Sequence, residues 1–214
     1  MVSMNRSYFD EMYKADSDPW NFESSWYEQR KYALTVAALP DLRYRSGFEP
    51  GCSIGVLSSF LAERCDQLLA TDIVPDVVER ARERCKESTN VHFEVRAIPE
   101  EWPPGPFDLV VLSEIAYYFD RATLCEIMSR VLATSTSSAT IVAVHWRGTT
   151  NYPLSGDEAH EIMGSQTDLQ CTVHHTEPDF LLDAWNRIPP ARLDESGGRD
   201  PQNTVRKRLK HSTK

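Results

Sequence analysis

The sequence predicts a single α/β domain built around a mostly parallel sheet, and three observations support this prediction. First, strand patterns alternate with helical patterns along the chain, as they do in successive βαβ units. Second, a glycine-containing turn over residues 51–55 follows the first strand, and an acidic residue, Asp72, ends the second. Third, a length of 214 residues suits one domain with a sizeable core. We therefore expect one sheet with helices packed against it.

The first half of the chain predicts three strands separated by two helices. The first two strands are expected over residues 44–49 and 67–72, with a helix over residues 55–65 between them. Pro75 begins the next helix, because its fixed φ suits the first helical turn. A third strand follows over residues 91–95. This order corresponds to two successive βαβ units.

The second half predicts the buried centre of the sheet and its closing strands. Residues 107–112 and 139–144 are nearly continuous apolar runs, as expected of strands covered on both faces. Between them, the apolar positions of residues 124–132 recur at helical spacing. A short helix is expected over residues 157–165, and the alternating segment 169–182 predicts two strands joined by a turn.

A helix is also predicted before the first strand. Ser25 and Glu28 have the spacing of a capping box, and the helix is expected to end near Pro40. Arg30 on the inward face is unusual: it either pairs with an acid at the edge of the core or binds a carboxylate of a ligand. The predicted inward face consists of Trp26, Arg30, Ala33 and Ala37.

Three regions follow from this organisation. Residues 1–40 are expected to form an N-terminal helical cap or lid, and residues 41–190 the α/β domain. Residues 191–214 are expected to be a disordered basic tail, because from residue 196 onward they are polar and carry six Lys or Arg residues against one acid.

The composition excludes several classes of protein. Hydrophobic content of 41% and charged content of 26% indicate a globular chain, and a net charge of −9 disfavours nucleic acid as a partner. No apolar run approaches the roughly 20 residues that span a bilayer, and no signal-peptide core is present, so we expect a cytoplasmic protein without membrane association. The five cysteines have no metal-ligand spacing, so we expect reduced thiols and no metal.

A nucleoside pocket is predicted by the turn after the first strand, residues 49–55 (EPGCSIG). Gly51 lets the backbone turn sharply beside a ligand, and Gly55 lets the next helix begin close to the strand. Asp72, at the end of the second strand, can accept hydrogen bonds from both ribose hydroxyls. A serine replaces the middle glycine of the dinucleotide fingerprint, so a pyrophosphate is not expected. Glu49 suits a ligand with an ammonium group.

With these motifs, the chain resembles the class I S-adenosylmethionine-dependent methyltransferases, and within them the nodulation-protein-S-like N-methyltransferases, over roughly residues 7–187. The resemblance implies a Rossmann-like fold: a mostly parallel seven-stranded sheet with an antiparallel last strand, helices on both faces, and an N-terminal helical cap. It also implies S-adenosylmethionine as cofactor. The motifs that carry it are Tyr8-Phe9, Asp18-Pro19-Trp20, residues 49–55, Thr71-Asp72, residues 107–118, His145-Trp146 and Ser155-Gly156-Asp157.

The resemblance extends the set of cofactor-binding candidates. Many members of the class carry an acid near the exit of the third strand that holds the adenine amino group. This chain departs from that pattern, because the segment over residues 96–102 reads RAIPEEW, so backbone amides of Ala97 or Ile98 are the candidates. Arg30 is expected at the methionine carboxylate and Trp20 near the sulfonium. The other candidates are Glu49, Gly51, Cys52 and Gly55 in the turn, Asp72 and Ile73 after the second strand, and Ser113 after the fourth.

Three residues near the carboxyl ends of the fourth and fifth strands are the catalytic candidates. Methyl transfer places positive charge on the nucleophile, so positioning, carboxylates and aromatic faces should dominate catalysis. Glu114 or His145 could take the proton of an amine nucleophile, with Tyr118 orienting it. The alternatives are structural: Glu114 could cap a helix, Tyr118 could belong to the core, and His145 could be a satisfied buried histidine.

The predicted function is methyl transfer from S-adenosylmethionine to a small-molecule acceptor. The resemblance implies N-methylation of an amine such as an amino sugar or a chitooligosaccharide. An O-methyltransferase of a small metabolite and a non-catalytic methyltransferase-like binding protein stay open as alternatives. A nicotinamide oxidoreductase is disfavoured by the missing middle glycine and the absence of a second mononucleotide-binding half.

Overall fold

The computed structural model describes residues 2–188, so the predicted tail from residue 191 onward lies outside the described residues. In the described part of the chain, seven strands form one sheet in the order β3-β2-β1-β4-β5-β7-β6. The strands are β1 (Tyr44–Pro50), β2 (Cys65–Asp72), β3 (Val91–Val95), β4 (Phe107–Ser113), β5 (Ser135–Trp146), β6 (Leu169–Thr176) and β7 (Phe180–Arg187).

The first five strands pair in parallel, while β7 is antiparallel to both of its neighbours, β5 and β6. The strand order reverses at β1, because β2 lies on one side of it and β4 on the other. The carboxyl ends of β1, β2 and β4 therefore meet at one edge of the sheet. In doubly wound folds, ligands bind at such a switch point.

Within residues 2–188, six α-helices cover the sheet, and a short 3-10 helix (Ala116–Tyr118) follows β4. Residues that alternate along β4 point to opposite faces, as strand geometry requires. Val110 and Leu112 pack in one cluster, whereas Leu109 and Val111 pack in another. The helices are α1 (Arg6–Ala15), α2 (Trp26–Ala37), α3 (Val56–Ala62), α4 (Pro75–Arg84), α5 (Arg121–Thr134) and α6 (Gly156–Gly164).

The local signals at the helix ends explain where the helices begin. Ser25 caps α2 by accepting a hydrogen bond from the Glu28 amide at 3.5 Å. The predicted reciprocal bond of a capping box is wrong here, because the Glu28 side chain binds Lys31 instead. A complete capping box is present at α6, between Ser155 and Glu158.

Helix α2 packs directly on the sheet. Tyr32 of α2 belongs to the same buried cluster as Tyr44 of β1 and Leu68 of β2. The division of the chain into a cap and a domain at residue 40 stays a prediction. Within residues 2–188, no helix is long and apolar enough to cross a membrane.

Candidate functional site

One cavity of about 400 Å³ opens at the carboxyl ends of β1, β2 and β4, beneath residues of the N-terminal helices. This volume lies in the range of small-molecule sites, about 300–1,000 Å³. Two parts of its lining come from different elements of the fold. The floor comprises Glu49, Gly51, Cys52 and Asp72, from the ends of β1 and β2. The wall comprises Glu28 and Lys31 of α2 and Glu114, which follows β4.

The backbone of the floor requires glycine at position 51. Gly51 has a φ of +74°, and a Cβ atom there would lie 2.8 Å from the Cδ1 atom of Ile115. Both the conformation and the space therefore exclude a side chain. The absence of a side chain brings the Gly51 backbone to the surface of the cavity.

Asp72 links the two floor strands. Its Oδ2 atom accepts a hydrogen bond from the Ser53 amide at 2.9 Å, and its Oδ1 atom accepts one from the Val74 amide at 3.0 Å. Burial raises the pKa of the Asp72 carboxyl, and these amides oppose the shift. Each carboxylate oxygen can accept further hydrogen bonds, so Asp72 can still bind ligand hydroxyls.

Glu49 is a buried acid of the floor, with 2% of its surface exposed. The Ser58 hydroxyl donates a hydrogen bond to its Oε2 atom at 2.5 Å. No Lys, Arg or His residue pairs with it among residues 2–188. Burial raises the pKa of Glu49 to about 8, and the Asp72 carboxylate contributes to this rise. A cation placed in the cavity beside Glu49 would favour its ionised form.

The wall is held together by a buried lysine. Lys31 is 1% exposed, and its Nζ atom lies 2.9 Å from Glu28 Oε1 and 2.5 Å from Glu114 Oε1. The same atom lies 4.9 Å from the centre of the Tyr27 ring, in a cation–π geometry. Burial alone would lower the pKa of Lys31, but Glu114 and Glu28 outweigh this effect and raise it. The ammonium group therefore stays charged.

Glu114 has both carboxylate oxygens engaged. Its Oε1 atom accepts from Lys31, while Oε2 accepts from the Tyr117 hydroxyl at 2.5 Å and the Trp146 amide at 3.0 Å. Its backbone has a φ of +53°, a conformation that non-glycine residues adopt rarely. These contacts hold the residue in place, so Glu114 is a fixed negative charge at the cavity surface.

The predicted inward face of α2 is wrong, and so is the placement of Arg30 at the cavity. Trp26 is 74% exposed, and Arg30 forms a two-point ion pair with Glu177 at 2.6 and 2.7 Å, outside the cavity lining. The structural alternative, pairing with an acid, is therefore the one observed. The buried face of α2 consists of Glu28, Lys31, Tyr32 and Thr35.

The structure also contradicts the assignment of His145 as a base. Its side chain is fully buried and does not line the cavity. Its Nε2 atom faces the backbone amides of Ala116 at 2.9 Å and Ile115 at 3.3 Å, so this nitrogen accepts hydrogen bonds and carries no proton. Burial holds the pKa of His145 well below its ordinary value, and neighbouring His160 and Lys31 make smaller electrostatic contributions in the same direction.

The tautomer of His145 determines a chain of hydrogen bonds behind the wall. Because Nε2 is an acceptor, the proton lies on Nδ1, which donates to His160 Nε2 at 3.0 Å. The Nδ1–H group of His160 then donates to Asp183 Oδ2 at 2.6 Å. The chain of three side chains runs from β7 to the loop that carries Glu114, so His145 positions that loop.

Two further predicted cofactor contacts are not at the cavity. The Ala97 amide donates to Glu101 Oε2 at 2.7 Å within its own turn and does not line the cavity. Gly55 has a φ of +78° and begins α3 outside the lining; a Cβ atom there would lie 2.9 Å from Ala81 of α4. Gly55 thus permits close helix packing. The remaining candidates line the cavity: Trp20, Glu49, Gly51, Cys52, Asp72, Ile73, Ile98, Ser113, Glu114 and Tyr118.

Sequence reasoning missed the two α2 residues of the wall, Glu28 and Lys31. Glu28 had been interpreted as part of a cap, and Lys31 had not been singled out. The signal that could have found them is their spacing of three residues, which places opposite charges on one helical face. Within residues 2–188, no group of three or more His, Cys, Asp or Glu side chains is arranged to hold a metal ion.

Solved structures share this fold. A protein of Pseudomonas syringae, proposed to be a methyltransferase, is 42% identical with a TM-score of 0.69, over 76% of this chain and 100% of that one. The N-methyltransferase NodS of Bradyrhizobium japonicum WM9, in complex with S-adenosylhomocysteine, is 19% identical with a TM-score of 0.73, over 85% of this chain and 97% of that one. The predicted class I methyltransferase fold, whose members use S-adenosylmethionine, is confirmed.

Sequence comparison gives the family. Nodulation protein S of Sinorhizobium fredii strain NGR234 is 30% identical over 107 residues, which cover 50% of this chain and 50% of that protein. The match thus spans half the length of this relative. The family model described as nodulation protein S (NodS) matches residues 6–144. The family predicted from the motifs is therefore confirmed, and the chain belongs to the nodulation protein S (NodS) family.

Proposed function

We propose that this chain transfers a methyl group from S-adenosylmethionine to an amine of a small-molecule acceptor. The observation that carries the proposal is Glu49: a buried acid that has no cationic partner among residues 2–188 and lines a cavity beside the glycine turn. A nucleoside ligand that also carries an ammonium group would supply the missing charge. S-adenosylmethionine has both parts.

The residues of the floor fit this cofactor. Asp72 would accept hydrogen bonds from the ribose hydroxyls, and Glu49 would accept them from the ammonium group of the methionine part. The Gly51 backbone lies at the cavity surface, where a Cβ atom would collide with Ile115. The apolar side chains of Ile73 and Ile98 line the cavity and would cover the adenine. Cys52, Ser113 and Trp20 complete the proposed cofactor contacts.

When bound, the cofactor supplies a methyl group on a sulfonium that becomes neutral on transfer. The chain's own part is to position the acceptor and to stabilise the positive charge that develops on it. Glu114 supplies a fixed negative charge for this purpose, and Tyr118 supplies an aromatic ring, packed edge-on against Phe9 with the ring centres 4.9 Å apart.

The acidic wall supports an amine as the acceptor. Its three charged groups, Glu28, Lys31 and Glu114, sum to one negative charge, which suits a cationic substrate better than a neutral or acidic one. The NodS protein of B. japonicum is an N-methyltransferase. We therefore propose an amino sugar or a deacetylated chitooligosaccharide as the first acceptors to examine. An oxygen acceptor would need stronger base assistance, and His145 lies outside the cavity.

Calorimetric titration with S-adenosylhomocysteine, with NADH as the control ligand, tests the proposal. Micromolar binding of S-adenosylhomocysteine alone is expected. Incubation with radiolabelled S-adenosylmethionine and amines should then transfer label to at least one amino sugar. Binding without transfer to any amine or alcohol would support the non-catalytic alternative, and transfer to alcohols alone would support an O-methyltransferase. Absence of binding would refute the cofactor assignment.

A further inference from the structure

One oxygen of the wall has no hydrogen-bond partner. Glu28 is 6% exposed, and its Oε1 atom binds Lys31, but its Oε2 atom is buried without a hydrogen bond from any described residue. The Tyr32 hydroxyl lies close enough to the carboxylate to lower its pKa, but it makes no hydrogen bond of normal geometry to Oε2. A buried carboxylate oxygen without a well-formed hydrogen bond is costly, so Oε2 is able to take a donor from a ligand.

Glu28 belongs to a different part of the fold from the floor carboxylates. It stands on α2 and binds Lys31, whereas Glu49 and Asp72 lie at the ends of β1 and β2 and form their hydrogen bonds with Ser58, Ser53 and Val74. The cofactor brings one ammonium group, and Glu49 already matches it. The negative charge of the wall is then available to a second cation. Glu28 and Glu49 both line the cavity, so the two cations would bind in the same space.

We propose that Glu28 binds the acceptor's amino group through Oε2 and takes the proton that must leave before methylation. This inference rests on the proposed function, since it assigns a residue to the amine of that reaction. Glu28 thus takes the role of base that was predicted for His145 or Glu114. His145 lies outside the cavity, and both carboxylate oxygens of Glu114 already accept hydrogen bonds.

The proton balance of the step is simple. The acceptor arrives as an ammonium ion and gives one proton to the Glu28 carboxylate, which leaves a neutral amine with a free electron pair. That pair forms the new N–C bond as the S–C bond breaks, and the electrons of the broken bond stay on sulfur. The product is an N-methylammonium ion, and the carboxylic acid of Glu28 returns its proton to solvent when the product leaves.

The surroundings of Glu28 favour this role. Burial raises its pKa, and although Lys31 opposes the shift, the net direction is upward, so Glu28 is a stronger base than an exposed glutamate. Lys31 binds Oε1 at 2.9 Å and thereby fixes the carboxylate with Oε2 free. The other titratable groups around it are Glu114, Tyr32 and Tyr27.

The variant Glu28→Gln tests the proposal in protein loaded with S-adenosylhomocysteine, with glucosamine and its β-1,4-linked dimer as calorimetric probes. We expect the variant to bind these amines at least about tenfold more weakly, while its affinity for S-adenosylhomocysteine changes by less than about threefold. Glu177→Gln is the matched control, because it removes a carboxylate that pairs with α2 outside the cavity. It should match wild type for both ligands.

Several outcomes would overturn the inference. Unchanged amine affinity in Glu28→Gln, or no amine binding to loaded wild type, would show that Glu28 does not hold the acceptor. A comparable loss of S-adenosylhomocysteine affinity would place Glu28 in the cofactor site. Failure of wild type to bind S-adenosylhomocysteine would instead refute the proposed function.

A measurement on wild type alone does not depend on the variant's folding. Amine binding to the loaded protein is measured in two buffers of different ionisation enthalpy, at a pH where the free amine is protonated. If the amine enters as an ammonium ion and its proton stays in the site, shared between the nitrogen and Glu28, close to zero protons pass to the buffer. Release of about one proton per bound amine would overturn the proposal, since the proton would then leave to solvent.

Discussion

The floor and the wall of the cavity are both acidic, but their carboxylates are satisfied in opposite ways. On the floor, Glu49 and Asp72 accept hydrogen bonds from a hydroxyl and from backbone amides, and neither pairs with a cation among residues 2–188. In the wall, Glu28 and Glu114 share the buried ammonium group of Lys31.

This difference separates two tasks. The floor lacks positive charge, so a cationic ligand can pair with its carboxylates. The favourable electrostatic interaction therefore forms only when the ligand binds. The wall carries its own cation, so its charges hold α2 against the loop after β4 whether or not a ligand is bound. Removing the cation of the wall should therefore affect folding, whereas removing a carboxylate of the floor should affect cofactor affinity.

The largest effect is expected from the wall. Lys31→Ala would leave Glu28 and Glu114 as buried carboxylates without a cation, and we expect the free energy of unfolding to fall by about 3–5 kcal/mol in urea denaturation. The adjacent variant Arg30→Ala is the control, because it removes an exposed ion pair on the same helix. Equal losses in the two variants would contradict the special role of the wall.

The next effect concerns the floor. Asp72→Ala should weaken S-adenosylhomocysteine binding by about 1.5–3 kcal/mol, or about 10- to 150-fold in Kd, because hydrogen bonds to a charged acceptor are lost. Asp76→Ala, an exposed acid in the first turn of α4, should leave the affinity unchanged. Calorimetry that gave wild-type affinity for Asp72→Ala would remove the distinction between floor and wall.

A third prediction concerns the histidine behind the wall. His145→Ala leaves the Ile115 and Ala116 amides without an acceptor and should cost about 1–3 kcal/mol of unfolding free energy; His145→Gln, which can accept, should cost less. The pKa of His145 is depressed in the folded state, so its contribution is present above its ordinary value of 6.5 and is lost as the pH falls below it.

The comparison of pH dependence needs its own control. The unfolding free energy of wild type should fall more steeply below pH 6.5 than that of His145→Gln. His92→Gln, at an exposed histidine of β3, should retain the wild-type slope. Parallel curves for wild type and His145→Gln would show that the ring is not held neutral.

The smallest effect is a proton count on the floor. In the protein without a ligand, Glu49 has a pKa of about 8 and is mostly protonated at neutral pH. An ammonium group bound beside it favours the carboxylate. S-adenosylhomocysteine binding should therefore release part of a proton, and affinity should rise with pH toward 8, by at most about tenfold per unit. Calorimetry in two buffers measures the release, which Glu49→Gln should abolish.

The residues of the floor and Glu114 of the wall were predictable from the sequence, but the two α2 residues of the wall were not. Gly51 and Asp72 follow from backbone geometry, since a turn and a strand end leave a local signature in the sequence. The buried face of α2 carries Glu28 and Lys31, which periodicity of apolar residues assigns to solvent. Only the pairing of these charges with each other and with Glu114, far away in the chain, permits their burial.

Two other errors have local and long-range causes. Ala97 was expected to offer its amide to a ligand, but the side chain of Glu101, four residues later, uses it first. His145 was expected to face the cavity because it stands near a strand end. Its environment depends on His160 and Asp183, which lie on other elements of the fold.

The position of β7 has a consequence for synthesis on the ribosome. The strand is the last one described in the chain, yet it lies between β5 and β6, and it carries Asp183, which anchors the histidines behind Glu114. A nascent chain that ends before Phe180 can pair β1 to β5 but leaves one edge of β5 open. The floor can thus form during translation, whereas the chain of histidines that supports the loop of Glu114 is completed only after β7 has emerged.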